Sequence, residues 1–138
     1  MIKEIIKDET ILTQKSEQVS IEEAQEIITD LLDTAYHHID NCAGLAAPQI
    51  SVLKKVIVVR NGNSFFPMVN PMIIKKSGKK FVNTEGCLSL DGLRNVERYS
   101  TILVSYQDKA GKRTTKTFNG TLAIIVQHEV DHLSGKLI

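Results

Sequence analysis

No apolar run in this chain is long enough to cross a membrane, and charges interrupt its first ten residues, MIKEIIKDET. The first absence argues against a helical membrane span, and the second argues against a secretory signal. An excess of one charge is also missing. Seventeen basic residues balance sixteen acidic ones, for a formal net charge of +1. That balance gives no reason to expect a nucleic-acid or membrane partner. Cysteines number only two, Cys42 and Cys87. The expected compartment is the cytoplasm, where such a pair is seldom a disulfide and each thiol is a buried apolar residue, a ligand or a nucleophile. The chain has no internal repeat and no low-complexity tract.

What is present is an ordinary globular composition, 42% apolar and 24% charged over 138 residues. That is one domain, residues 1–138, large enough to bury a core without disulfides. The stretch after Ser20 repeats Ile21, Ala24, Ile27, Ile28, Leu31, Leu32 and Ala35 at helical spacing, with Glu22 and Glu23 in the first turn. Ser20 is the expected cap, and His37 and His38 fall at the surface near the far end. CAGLAAPQI reads as a tight loop or irregular strand, and KKVIVVRNG as a buried strand stopped by a turn. SFFPMVNPMIIKKSGKKFVN reads as two strands with a proline-broken bend between them and a Ser-Gly turn. EGCLSLDGLRNVERY suggests short extended pieces around an Asp91–Gly92 turn. A hairpin follows, with Ile102, Val104 and Tyr106 on one face. From about Thr121 a helix is apolar over most of its circumference and is expected to be central and buried. The order predicts an α+β fold, mainly antiparallel strands packed around a C-terminal helix, with a second helix near the N-terminus.

That last helix carries QHEVDH. His128 and His132 stand four residues apart, so both imidazoles project from one face and reach one metal ion. Glu129 follows the first histidine and points beside the ion, where it can hold a water. Buried His, Glu and Asp need partners, and a metal supplies one. A catalytic metal usually takes three protein ligands. Only Ser134 and Lys136 offer polar groups after His132, so the third ligand is expected upstream. Cys87, in EGCLS, is the best candidate.

GLAAPQ (44–49), EGCLS (85–89) and QHEVDHLSGKL (127–137), in this order and spacing, resemble the three motifs of the peptide deformylase family. VNPMI (69–73) and VER (96–98) add to the likeness. The resemblance implies a hydrolase of protein biosynthesis and N-terminal processing. It would remove the formyl group from formylmethionyl peptides of newly made proteins. It implies Cys87, His128 and His132 as metal ligands, with Fe(II) the usual ion and Zn(II), Ni(II) or Co(II) able to take the site. Glu129 would move the proton, and the Gln49 amide and the Leu88 backbone N–H would donate to the oxyanion. Gly44 would bind the extended peptide, Ile124 and Ile125 would line the methionine pocket, and Arg94 would contact substrate. Glu85 and Arg98 would brace EGCLS. Two departures stand out: Cys42 replaces the family's usual opening glycine, and the tail is short, which disfavours ribosome docking. The alternatives are a non-catalytic or altered-substrate deformylase-like metal-binding protein and, less favoured, a small HExxH metalloprotease.

Overall fold

A computed structural model describes all residues 1–138. The helices are α1 (Glu9–Leu12), α2 (Ile21–His37) and α3 (Gly120–Leu133). The strands are β1 (Gly44–Ala46), β2 (Val56–Asn61), β3 (Ser64–Cys87), β4 (Leu90–Gln107) and β5 (Arg113–Asn119). The strands form one antiparallel sheet in the order β1-β2-β3-β4-β5. No helix is long and apolar enough to cross a membrane.

β2 explains how the layers meet. Its residues Val56, Ile57, Val58 and Val59 are all fully buried. Successive side chains on a strand point to opposite faces, and here both faces are covered. Val56 and Val58 join Ile27, Ile28 and Leu31 of α2 in one core cluster. Ile57 and Val59 join Ile125 and Val126 of α3 in the other, with Ile102, Val104 and Tyr106 of β4. The α+β class, the antiparallel sheet and the buried C-terminal helix agree with the sequence reading. Ser20 caps α2 as expected, its Oγ accepting from the Glu23 N–H at 3.2 Å.

Three local expectations need correction. First, β3 is a single 24-residue strand that Pro67 and Pro71 do not break. β3 pairs with β2 over Ser64–Val69 and with β4 only from Val69 onward. Pro67 therefore sits where one edge of β3 is free, and Pro71 sits in the register shift between Val69 and Met72. Those are the places a strand tolerates proline. Asn70, at φ 49°, holds the crossover, its side chain bonding both Val19 N–H and Val19 C=O. Second, the hairpin between β3 and β4 turns at Leu88–Ser89, and Asp91–Gly92 lies inside β4. Gly92, at φ 77°, serves the irregularity between the pairs Glu85–Arg94 and Cys87–Leu90. Third, the Ser77–Gly78 step is a shift in the pairing of one strand. The short helix α1, capped by Asp8, was not anticipated.

Candidate metal and catalytic centre

Three elements meet at the site. α3 brings His128, Glu129 and His132, the end of β3 brings Glu85 and Cys87, and the segment from Cys42 to Gln49 closes the top. The ligand atoms of Cys87, His128 and His132 all lie within 4.8 Å of one another. His132 Nε2 is 3.2 Å from His128 Nε2 and 3.4 Å from Cys87 Sγ. Glu85 Oε1 lies 2.7 Å from His128 Nδ1, which places the ring's proton there and turns the Nε2 lone pair toward Cys87 and His132.

Two lone-pair nitrogens and a sulfur this close repel one another unless a cation lies between them. A proton is one such cation: burial opposes it on His128, but the contacts with Cys87 and Glu85 win and raise that imidazole to about 10. His132 is driven the other way, to about 3, by burial and by the positive charge of His128, Arg94 and Arg98. A divalent metal is the other cation that fits. Two imidazoles and a thiolate suit zinc or iron(II), with positions left for water. Cys87 Sγ is positioned for it, accepting from Gln49 Nε2 at 3.3 Å and from the Ser89 N–H at 3.4 Å.

Glu85 is itself held. Arg98 grips it through Nε at 2.9 Å and Nη2 at 2.8 Å, and Asn83 Nδ2 adds a third bond. Burial would raise this carboxyl, but His128, Arg98 and Asn83 pull it down to about 2. The other end of Arg98 reaches Asp131 Oδ2 at 2.7 Å. A buried charge pair with every lone pair engaged is a rigid brace.

Glu129 has no such support. It is 4% exposed, and its Oε1 has no hydrogen-bond partner. Burial pushes its carboxyl up to about 7. A buried orphan oxygen calls for an explanation, and a proton to be carried supplies one. Gly44 makes room for it: a Cβ there would lie 2.8 Å from Glu129 Oε2 and 3.0 Å from Ile125 Cγ2. Gln49 is pinned by the Ala46 N–H, which donates to its Oε1 at 3.0 Å. Its NH₂ is thereby aimed into the site, at Cys87 Sγ and at Ser89 Oγ, 3.2 Å away.

A cavity of about 150 Å³ opens beside these groups. Cys42, Gly44, Gln49, Glu85, Cys87, Leu88, Ile124, Ile125, His128 and Glu129 are among its walls. His132 lies behind it. Arg94 is not in the lining; its Nη1 donates to the Asp91 carbonyl at 3.1 Å, and its Nε and Nη2 are buried without partners. Cys42 is 3% exposed, donates its thiol to the Gly44 carbonyl at 3.3 Å, and is pushed up to about 12 by burial. It stands outside the ligand triad, and both thiols are free. Asp131, Asn83 and Ser89 were not singled out in the sequence. The one available hint was Asp131, a carboxylate three residues after His128 and so a neighbour of it on the helix surface.

The family model described as polypeptide deformylase matches residues 2–138. A peptide deformylase from Clostridium beijerinckii is 44% identical over 138 residues, covering 100% of both chains. Among solved structures, a Met-Ala-Ser-bound class I type b peptide deformylase from Acinetobacter baumannii superposes with a TM-score of 0.90. It is 32% identical over 99% of this chain and 97% of that one. The Thermotoga maritima peptide deformylase also gives 0.90, at 30% identity over 99% and 95%.

Proposed function

Since this chain belongs to the polypeptide deformylase family, we propose that residues 1–138 form one domain that hydrolyses the N-terminal formyl group of formylmethionyl peptides and releases formate. The observation that carries this reading is the convergence of Cys87, His128 and His132 beside an unpartnered Glu129 at the wall of a cavity.

Cys87 Sγ and the Nε2 atoms of His128 and His132 would hold the metal. When bound, the ion supplies Lewis acidity and brings the pKa of a water molecule toward neutrality. Glu129 takes a proton from the attacking water and delivers it to the leaving amine as the formyl C–N bond breaks. The Gln49 amide and the Leu88 N–H donate to the formyl oxygen as charge builds on it. The Ala46 N–H fixes the orientation of the Gln49 amide, and its NH₂ exchanges one of its bonds to Cys87 Sγ or Ser89 Oγ for the formyl oxygen. The Gly44 backbone pairs with the extended peptide, and the methionine side chain enters between Ile124 and Ile125. Arg94 stands outside the cavity wall, so its contact requires a peptide longer than formylmethionine. The donor set accepts several ions; iron(II) is the native one by family resemblance, with zinc, nickel and cobalt as substitutes.

The test is formate release from a formyl-Met tripeptide by anaerobically purified protein loaded in turn with Fe(II), Ni(II) and Zn(II). Metal-dependent release, lost in Glu129→Ala, is expected. Folded, metal-loaded protein that releases no formate with any ion would overturn the reading and leave a non-catalytic or altered-substrate role.

A further inference from the structure

β1 stands at one end of the sheet, so one of its sides is open. The Arg60 N–H donates to the Ala43 carbonyl at 2.9 Å, which makes Ala43 and Arg60 a hydrogen-bonded pair. In an antiparallel ladder such pairs alternate with pairs whose backbone groups turn outward. Gly44, opposite Val59, is the next residue along and turns its N–H and C=O away from β2. Ala46 follows the same alternation, and its outward N–H is the one that holds Gln49 Oε1.

The outward Gly44 carbonyl is already engaged. The Cys42 thiol donates to it at 3.3 Å, and that is the thiol's one hydrogen bond. Arg60 holds the Cys42 backbone in place, its Nη1 donating to the carbonyls of Ile39 and Cys42. Gly44 also lies against Glu129: a Cβ there would be 2.8 Å from Glu129 Oε2. Glu129 is the residue that protonates the leaving amine in the proposed function, so that nitrogen comes to rest beside Gly44. The outward Gly44 carbonyl is then an acceptor for it.

We propose that Cys42 is a positioning residue that sets how firmly the newly freed N-terminal amine is held, by occupying the Gly44 carbonyl that the amine takes. The placing of the amine rests on the proposed function. The carbonyl faces away from β2, so thiol and amine reach it from the same side and each weakens the other's bond. A thiol is a weak donor, so the amine displaces it at modest cost. That cost is real because Cys42 is 3% exposed, and a displaced S–H finds neither water nor a second acceptor. A hydroxyl in its place competes more strongly, and a methyl does not compete at all. Cys42 thus loosens the product through Gly44 without touching the bond that breaks.

The experiment is calorimetric titration of the full zinc-loaded chain with the tripeptide Met-Ala-Ser, which carries the free amine. Cys42→Ala is expected to bind it about threefold more tightly than the parent, and Cys42→Ser about tenfold more weakly. The same peptide lacking its α-amino group is expected to bind all three proteins alike. Loss of packing at Cys42 would instead move both peptides together and in one direction. Thermal melts check that each variant is folded, and either variant alone tests the sign. Three results overturn the proposal: no binding of Met-Ala-Ser by the parent chain, shifts that are absent or of the same sign in the two variants, or equal shifts with the peptide that lacks the amine. Opposite shifts in a chain that releases no formate from formyl-Met-Ala-Ser would uphold the role of Cys42 while the function reading failed. Formate release with unmoved affinities would do the reverse.

Discussion

The two long helices bury themselves by different means. α2 hides Ala24, Ile27, Ile28, Leu31 and Ala35, with Thr34 its one buried polar residue, and turns Glu22, Glu23, Glu26 and Asp33 to solvent. α3 buries eight residues, of which Gln127, His128, Glu129 and His132 are polar. Apolar burial is favourable wherever a complementary face exists. Polar burial succeeds only when partners arrive from elsewhere. For α3 they arrive from the sheet: Gln127 bonds both the N–H and the C=O of Tyr99, and His128 takes Glu85. Glu129 is the member left without one. α2 is thus built for stability, and α3 spends part of its burial on chemistry.

That contrast is open to attack from both sides. Glu129→Gln is expected to cut formate release about a thousandfold, while thermal stability holds or rises because an unpaired buried carboxyl is gone. Leu31→Ala, at a fully buried site on α2, is expected to cost about 3 kcal/mol and about 10 °C in melting temperature. Its kcat/KM well below melting stays at the parent value. Equal stability losses in the two variants would erase the distinction between the helices. Gly44→Ala sharpens it: the added Cβ meets Glu129 Oε2 at 2.8 Å, so kcat falls roughly 10- to 100-fold while the melting point moves less than in Leu31→Ala.

The smallest expected effect is in acid. In the metal-free protein Glu85 sits near 2, below its ordinary 4.5. A carboxyl depressed on folding contributes fully above its unfolded value and loses that contribution as pH falls toward the folded one. Stability measured from pH 5 to 2 should therefore decline more steeply in the parent protein than in Glu85→Gln. Parallel curves would show that the brace contributes nothing.

The pattern of this comparison explains what was legible in the sequence. α2 was readable from its spacing and Ser20 cap because every determinant is local. His128, Glu129 and His132 were readable because four residues make one helical turn. Cys87 was reachable because no typical ligand follows His132 and a thiolate is a strong soft donor. Arg98 joining Asp131, or Gln49 directed by Ala46 toward Ser89, depends on how distant segments come together, which no local spacing encodes. The misplaced turn has a local cause. Gly92 has the positive φ a turn residue would need, but β4 uses it for a bulge, and one sequence cannot tell the two uses apart.

The central claim is that Cys87, His128 and His132 bind one metal ion. Anaerobic titration with cobalt(II), followed by near-ultraviolet absorbance, tests it most directly. The account predicts a thiolate-to-cobalt charge-transfer band that saturates at one equivalent and disappears in Cys87→Ser, where Cys42 remains available. A band of undiminished strength in Cys87→Ser would contradict it.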